Sequence, residues 1–214
     1  MILFPEEVLE TGLATMVVPD ESDPIRVGFD VARSPKGDWS YLYTAQEGWV
    51  YKTHEWRVDP ESPDGNSNWF PMDNPVKTEK RGIKLRYLDR WRGLPFQPIR
   101  NEYGHRTMSH AANEVTHGHM EGTGATQLRI DADGMGALMV DAMLDVYMGQ
   151  YTIIRMKGGD PSPDRNGWYN QRSYQFTELA RRMRAGEVDI EPDDGEDRRL
   201  IKELGAIEYK FAAG

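Results

Sequence analysis

Ile25-Arg26-Val27-Gly28-Phe29-Asp30-Val31-Ala32-Arg33 and Leu128-Arg129-Ile130-Asp131-Ala132-Asp133-Gly134-Met135-Gly136 are the two stretches on which the fold turns. In the first, Ile25, Val27, Phe29 and Val31 alternate with Arg26, Gly28 and Asp30. That period of two predicts a strand over about 25–32 with one apolar face. The second predicts a strand over about 126–131. Each run carries a carboxylate at or near its end. If the two strands lie side by side, Asp30 and Asp131 meet at one edge of a sheet. Facing carboxylates repel unless a cation sits between them. Hard oxygen donors suit Mg²⁺ or Mn²⁺, so the pair implies bound divalent ions.

Working outward, Ser34-Pro35-Lys36-Gly37-Asp38 has turn chemistry. Strands follow at about 39–45 and 49–57, with Glu47-Gly48 as a tight turn, which predicts an antiparallel meander. Residues 58–80 carry Pro60, Pro63, Pro71 and Pro75 with many Asp and Asn, and read as a long surface loop. Residues 82–90 alternate again as a strand. Trp91–Phe96 is a turn, and Pro98-Ile99 opens a helix reaching about Val115 with an interruption near Gly104. Thr116–Ala125 reads as a glycine-rich break. Met135–Met148 has helical spacing of Leu138, Met139, Met143, Leu144, Val146 and Tyr147. A strand is expected over Tyr151–Met156, a polar loop over Lys157–Gly167, and a helix over Ser173–Ala185 stopped by Gly186. A short strand at Val188–Ile190, a helix at Glu196–Leu204 and a strand-like Ile207–Phe211 complete the chain. This order is that of an α/β, ribonuclease H-like mixed sheet: three antiparallel strands, then parallel strands, flanked by helices. In that fold the first and fourth strands are adjacent and central, which would bring Asp30 beside Asp131. Residues 1–24 are expected to be a lead-in or linker, and 25–214 one ribonuclease H-like domain.

The 214-residue chain is long enough for a substantial core, but it is only 38% hydrophobic against 29% charged, so polar excursions are expected. It has no cysteine, which excludes disulfides, thiol nucleophiles and cysteine-ligated metals. No signal-peptide run opens the chain and no stretch approaches the ~20 apolar residues of a membrane span, so a soluble, intracellular protein is expected. The net charge of −9 argues against nucleic-acid binding by bulk electrostatics. It leaves open a nuclease whose acidic site is neutralised by cations, and basic residues are locally dense at 77–92 and 181–184.

Four stretches together resemble the C-terminal nuclease domain of the large terminase subunit of tailed bacteriophages, over roughly residues 25–211. Val27-Gly28-Phe29-Asp30-Val31-Ala32-Arg33 with Gly37-Asp38 is similar to that family's opening strand. Tyr87-Leu88-Asp89-Arg90-Trp91 followed by Gly93-Leu94-Pro95-Phe96-Gln97-Pro98-Ile99 is similar to a segment before the fourth strand. Ile130-Asp131-Ala132-Asp133-Gly134-Met135-Gly136 with Val140-Asp141 resembles the acidic strand end leading into a helix. Tyr169-Asn170-Gln171-Arg172, with Glu203-Leu204, resembles the Asn-x-Arg and Glu-Leu elements. The resemblance implies a DNA endonuclease using two Mg²⁺ or Mn²⁺ ions. It implies double-stranded DNA, the terminase ATPase domain, the small terminase subunit and the portal as partners, no membrane, and the host cytoplasm as the place of action. Two departures stand out. No Gly-x-x-x-x-Gly-Lys-Ser/Thr exists in this chain, and the family's third metal-binding aspartate is expected beyond Gly214, so the domain is expected to be truncated at its C-terminus.

In the implied mechanism Asp30 bridges both ions and Asp131 holds one. For both, the alternative is a solvated strand-end carboxylate. Asp133 is read first as the residue that opens the turn and caps the next helix, with a metal-ligand role as the alternative. Arg172 and Arg181 are candidate DNA-phosphate contacts, and a solvated helix face with Arg182 and Arg184 explains them equally. Gly134 and Gly136 read as close strand–helix packing before a phosphate cradle. Asp38 reads as a turn residue, His117-Gly118-His119 as a polar loop rather than a metal site, Trp69, Phe70 and Trp91 as loop anchors, and Asp193–Asp197 as helix N-terminal charge. The rival readings are a sugar-kinase or actin-like ATPase of the same fold, a catalytically incomplete DNA-binding or structural fragment of the packaging motor, and a junction resolvase.

Overall fold

The computed structural model describes residues 3–32, 39–58, 60–63, 65, 67–93, 95–96, 98–164, 167–191, 201 and 204–208. Four helices are described, α1 (Glu6–Ala14), α2 (His110–Thr123), α3 (Met135–Tyr147) and α4 (Gln171–Arg184). The strands are β1 (Met16–Pro19), β2 (Arg26–Asp30), β3 (Ser40–Val58), β4 (Ser67–Trp91), β5 (Pro98–Arg100), β6 (Arg106–Met108), β7 (Gln127–Asp131), β8 (Thr152–Met156) and β9 (Val188–Glu191). Among the described residues they form a seven-stranded mixed sheet in the order β8-β7-β2-β3-β4-β9, with β1 also paired to β3, and a separate β5–β6 hairpin.

The two deciding stretches pair as expected. β2 and β7 are parallel neighbours, with Val27 opposite Leu128 and Phe29 opposite Ile130. β3 lies antiparallel to β2 and β8 parallel to β7. Val27, Phe29, Leu128 and Ile130 are buried beneath α2 and α3, in a core with Met120, Met139 and Met143. On the opposite face α1 and α4 bury Phe4, Val8, Leu9, Ala180 and Met183 against Val188 and Ile190 of β9. The lead-in segment thus contributes α1 to this second core and β1 to the sheet.

Three sequence expectations are corrected. The first concerns the meander: Glu47-Gly48 is not a turn, and most of 58–80 is not a loop. β3 and β4 are single strands of 19 and 25 residues joined as one long hairpin. Gly48 is where the backbone of β1 passes, since a Cβ there would lie 2.2 Å from the Val18 carbonyl oxygen. Pro71 pairs with His54, and Pro75 lies where the register slips between Lys52 and His54. A proline is tolerated there because a bulge asks for no ladder N–H.

The second correction concerns 98–125. Pro98 opens a strand, and the β5–β6 hairpin turns at Gly104, whose φ is 76°. The helix begins at Ser109, whose hydroxyl accepts from the Ala112 N–H, and it runs through Gly118 and Gly122 to Gly124. Ala112, Thr116 and Met120, at i, i+4 and i+8, are fully buried. Tertiary burial of that stripe outweighs the glycine propensity penalty of about 1 kcal/mol each. His117 and His119 are therefore helical rather than in a loop. His117 stacks on Tyr147 with ring centres 4.4 Å apart, and His119 pairs with Asp89 at 3.3 Å.

The third concerns Asp133, which does not cap α3. Gly134 occupies the cap position and no side chain caps that helix. Asp38, the 193–197 acidic run, Glu203 and most of the helix expected at 196–204 lie outside the described residues. Among the described residues no helix is long and apolar enough to cross a membrane.

Candidate metal and nucleic-acid site

Side chains alternate across a strand, so the burial of Phe29 and Ile130 on one face sends Asp30 and Asp131 to the other. Both sit at the C-terminal ends of parallel strands in matched register, immediately after the Phe29–Ile130 pair. On that face α1 and α4 pack against β9. A cleft of about 470 Å³ is floored by Gly28, Asp30, Arg129 and Asp131 and walled by Tyr41, Tyr43, Arg172 and Phe176. A second depression shares Asp30, Asp131, Arg172 and Phe176 and adds Trp39 and Asp133.

Asp131 is held from two sides. One carboxylate oxygen accepts the Asp133 backbone N–H at 2.9 Å, and the other lies 3.6 Å from the Arg172 guanidinium. Arg172 also donates to Asp133 at 2.8 Å. Gly136 lets the first turn of α3 pack directly against the strand end, because a Cβ there would fall 1.6 Å from the Asp131 carbonyl oxygen. The packing reading of that glycine accounts for this contact.

Arg172 reaches the site because Asn170 starts α4: its side chain accepts the Ser173 N–H at 2.9 Å. The Arg172 N–H donates to the Gly158 carbonyl at 3.0 Å, and its guanidinium lies against Gly158. Arg181, toward the other end of α4, stands differently. It forms a two-pronged pair with Glu178 at 2.6 and 2.9 Å. Those hydrogen bonds hold the Glu178 carboxyl below its usual range and the Arg181 guanidinium above its own. Arg182 pairs with Glu187, and Arg184 donates to the Leu3 carbonyl.

The structure thus brings Asp30, Asp131, Asp133 and Arg172 together and leaves Arg181 apart. It adds residues that the sequence reading did not single out. Arg129 lies on the cleft floor, Tyr41 and Tyr43 stack at 6.2 Å, and Trp39 lies beneath Arg90 and Arg92 at 4.9 and 5.6 Å. The available signal was the alternation of 39–43, which puts Trp39, Tyr41 and Tyr43 on one face. Trp91 anchors the core instead, packing on Phe96 at 4.8 Å.

As for metal, Asp30, Asp131 and Asp133 offer only carboxylate oxygens, the donor type that suits hard divalent cations. Asp131 and Asp133 are about a third exposed, so hydrated ions can reach them. Among the described residues, no three His, Cys, Asp or Glu side chains are grouped so as to hold a metal ion. The donor chemistry fits, with two strand-end carboxylates as its centre.

No protein-family model and no curated protein matches the sequence. Solved structures do. The nuclease domain of the large terminase subunit gp2 of bacterial virus Sf6 superposes with a TM-score of 0.58 at 15% identity, over 99% of this chain and 84% of that one. A point mutant of that domain with manganese and beta-thujaplicinol gives 0.55, and one with calcium 0.54, at the same identity and coverage. The chain has the ribonuclease H-like fold of a phage terminase large-subunit nuclease domain.

Proposed function

We propose that the chain is the metal-dependent DNA endonuclease domain of a phage DNA-packaging terminase, cutting concatemeric DNA by two-metal phosphodiester hydrolysis. The observation that carries this reading is the placement of Asp30 and Asp131 at adjacent parallel strand ends, facing one open cleft. Asp30 and Asp131, common to both depressions, are the residues that would hold the ions. Asp131 is the second ligand, aligned by the Asp133 N–H, and Asp133 stands beside it as an outer donor. Bound Mg²⁺ or Mn²⁺ supplies Lewis acidity, making water nucleophilic and offsetting charge on the departing 3′-oxygen.

The rest of the cleft serves the strand being cut. Arg129 and Arg172 face its phosphates, and the Trp39–Arg90–Arg92 group continues the cationic, aromatic surface past Asp133. Arg181 is the weaker phosphate contact because Glu178 already holds it. Double-stranded DNA is the substrate. The ATPase domain, small subunit and portal are the partners, and the host cytoplasm is the location.

The test is nicking of supercoiled plasmid with Mn²⁺, alongside Mn²⁺ titration calorimetry. Nicking and binding heat that both vanish in Asp30→Asn and Asp131→Asn support the reading. Heat unchanged in both variants refutes the site. The two-carboxylate cluster among the described residues favours one second reading, a DNA-binding fragment that cannot cut. DNA binding without nicking at any Mn²⁺ concentration selects it.

A further inference from the structure

We infer that Arg172 is a resident counter-cation of Asp131 and Asp133 at the acidic strand edge and competes with divalent metal for them. The inference rests on the metal-site reading above and concerns how that site is filled when no substrate is present. Three independent contacts place the guanidinium. It donates to Asp133 at 2.8 Å, approaches Asp131 at 3.6 Å, and fits against Gly158 so closely that a Cβ there would lie 2.6 Å from its Nε. The side chain is anchored from behind by its own N–H bonded to the Gly158 carbonyl, at the first turn of a capped helix. The Arg172 guanidinium and a metal ion would draw on the same Asp131 oxygen, and two positive charges that close repel, so each weakens the other's hold.

This arrangement has a physical logic. Adjacent carboxylates without a cation repel one another, and the guanidinium offsets this with a hydrogen bond to Asp133 and Coulomb attraction to Asp131. Arg172 is 46% exposed and its partners 30–37%, so the contact is screened and exchangeable rather than locked. An incoming DNA phosphate offers the guanidinium a different anion, so substrate and metal loading favour each other. A residue that only packed α4 on the strand would produce no such competition.

The test uses Mn²⁺ alone, titrated calorimetrically into the full chain without DNA, for the wild type and two variants. Arg172→Gln removes the charge. Gly158→Ala keeps the arginine but inserts a Cβ where its guanidinium rests, so a folding defect in one variant leaves the other informative. Both are expected to tighten Mn²⁺ binding by about two- to fivefold, the worth of a partly exposed ion pair. Both should also lower the metal-free melting temperature more than the Mn²⁺-saturated one. Unchanged or weaker Mn²⁺ affinity in both variants, with Asp131→Asn still abolishing the heat, overturns the competition and leaves the metal site standing. Unchanged heat in Asp131→Asn removes the site and the inference together.

Discussion

β2 and β7 present two faces to the molecule, and the same residues in alternation make them opposites. Val27, Phe29, Leu128 and Ile130 are essentially inaccessible beneath α2 and α3. Gly28, Asp30, Arg129 and Asp131, interleaved with them, floor an open cleft. Ile130 and Asp131 are successive residues, so the contrast arises from side-chain direction alone. The buried face fixes the register of the two strands, since a slip of one residue would expose every apolar side chain. Register in turn sets the carboxylates level. Stability is thus carried by one set of alternate positions and, on the proposed reading, chemistry by the other.

Substitutions on the two faces should therefore separate. Ile130→Ala is expected to cost about 2–5 kcal/mol, measured as a lower urea midpoint at unchanged slope. Asp131→Asn, one residue on, should change stability by only about 0.5 kcal/mol, because an amide oxygen still accepts the Asp133 N–H. It should nevertheless weaken Mn²⁺ binding by more than the ~10–100-fold typical of outer-shell losses. Equal stability losses at both positions would break the comparison.

Gly136→Ala tests the joint between the faces. The new methyl would meet the Asp131 backbone carbonyl, which cannot swing aside as a side-chain tip would. A loss of about 1–3 kcal/mol is expected from the forced backbone shift, together with weaker Mn²⁺ heat. Asn170→Ala is milder. Removing the cap of α4 should cost about 1 kcal/mol by denaturant melt.

What the sequence showed follows the same division. The strands around Asp30 and Asp131 were legible because a one-sided sheet writes its burial as strict alternation. The helices at 135–148 and 173–185 were legible from their apolar stripes. The β3–β4 hairpin was not. Its outer arms pair chiefly with each other, so no apolar period marks residues 67–80, and Pro71 and Pro75 suggested a loop. Gly48 misled for a related reason, since close approach by β1 and a tight turn both require glycine. The helix through Gly118 and Gly122 is held by tertiary burial that a local reading does not see. The contact of Arg172 with Asp131 and Asp133 joins residues about forty positions apart, and only the fold brings them together. The adjacency of the two acidic strand ends was legible; Arg172 was singled out too, but its contact with Asp131 and Asp133 was not.

Gly28 gives the finest test of the comparison. It lies in β2 between two buried residues, a position where an all-apolar strand would carry a large side chain. A Cβ placed there meets nothing within 4 Å, so the glycine is not required by packing. Gly28→Ala should raise stability by about 0.5 kcal/mol, because alanine loses less conformational freedom on folding. Gly28→Leu should leave the fold intact while filling the cleft floor beside Asp30. Plasmid nicking should then fall, while Mn²⁺ heat is retained. If Gly28→Leu unfolds the chain, the open face is packed more tightly than the cleft implies. If it nicks at the wild-type rate, the cut strand does not pass over β2.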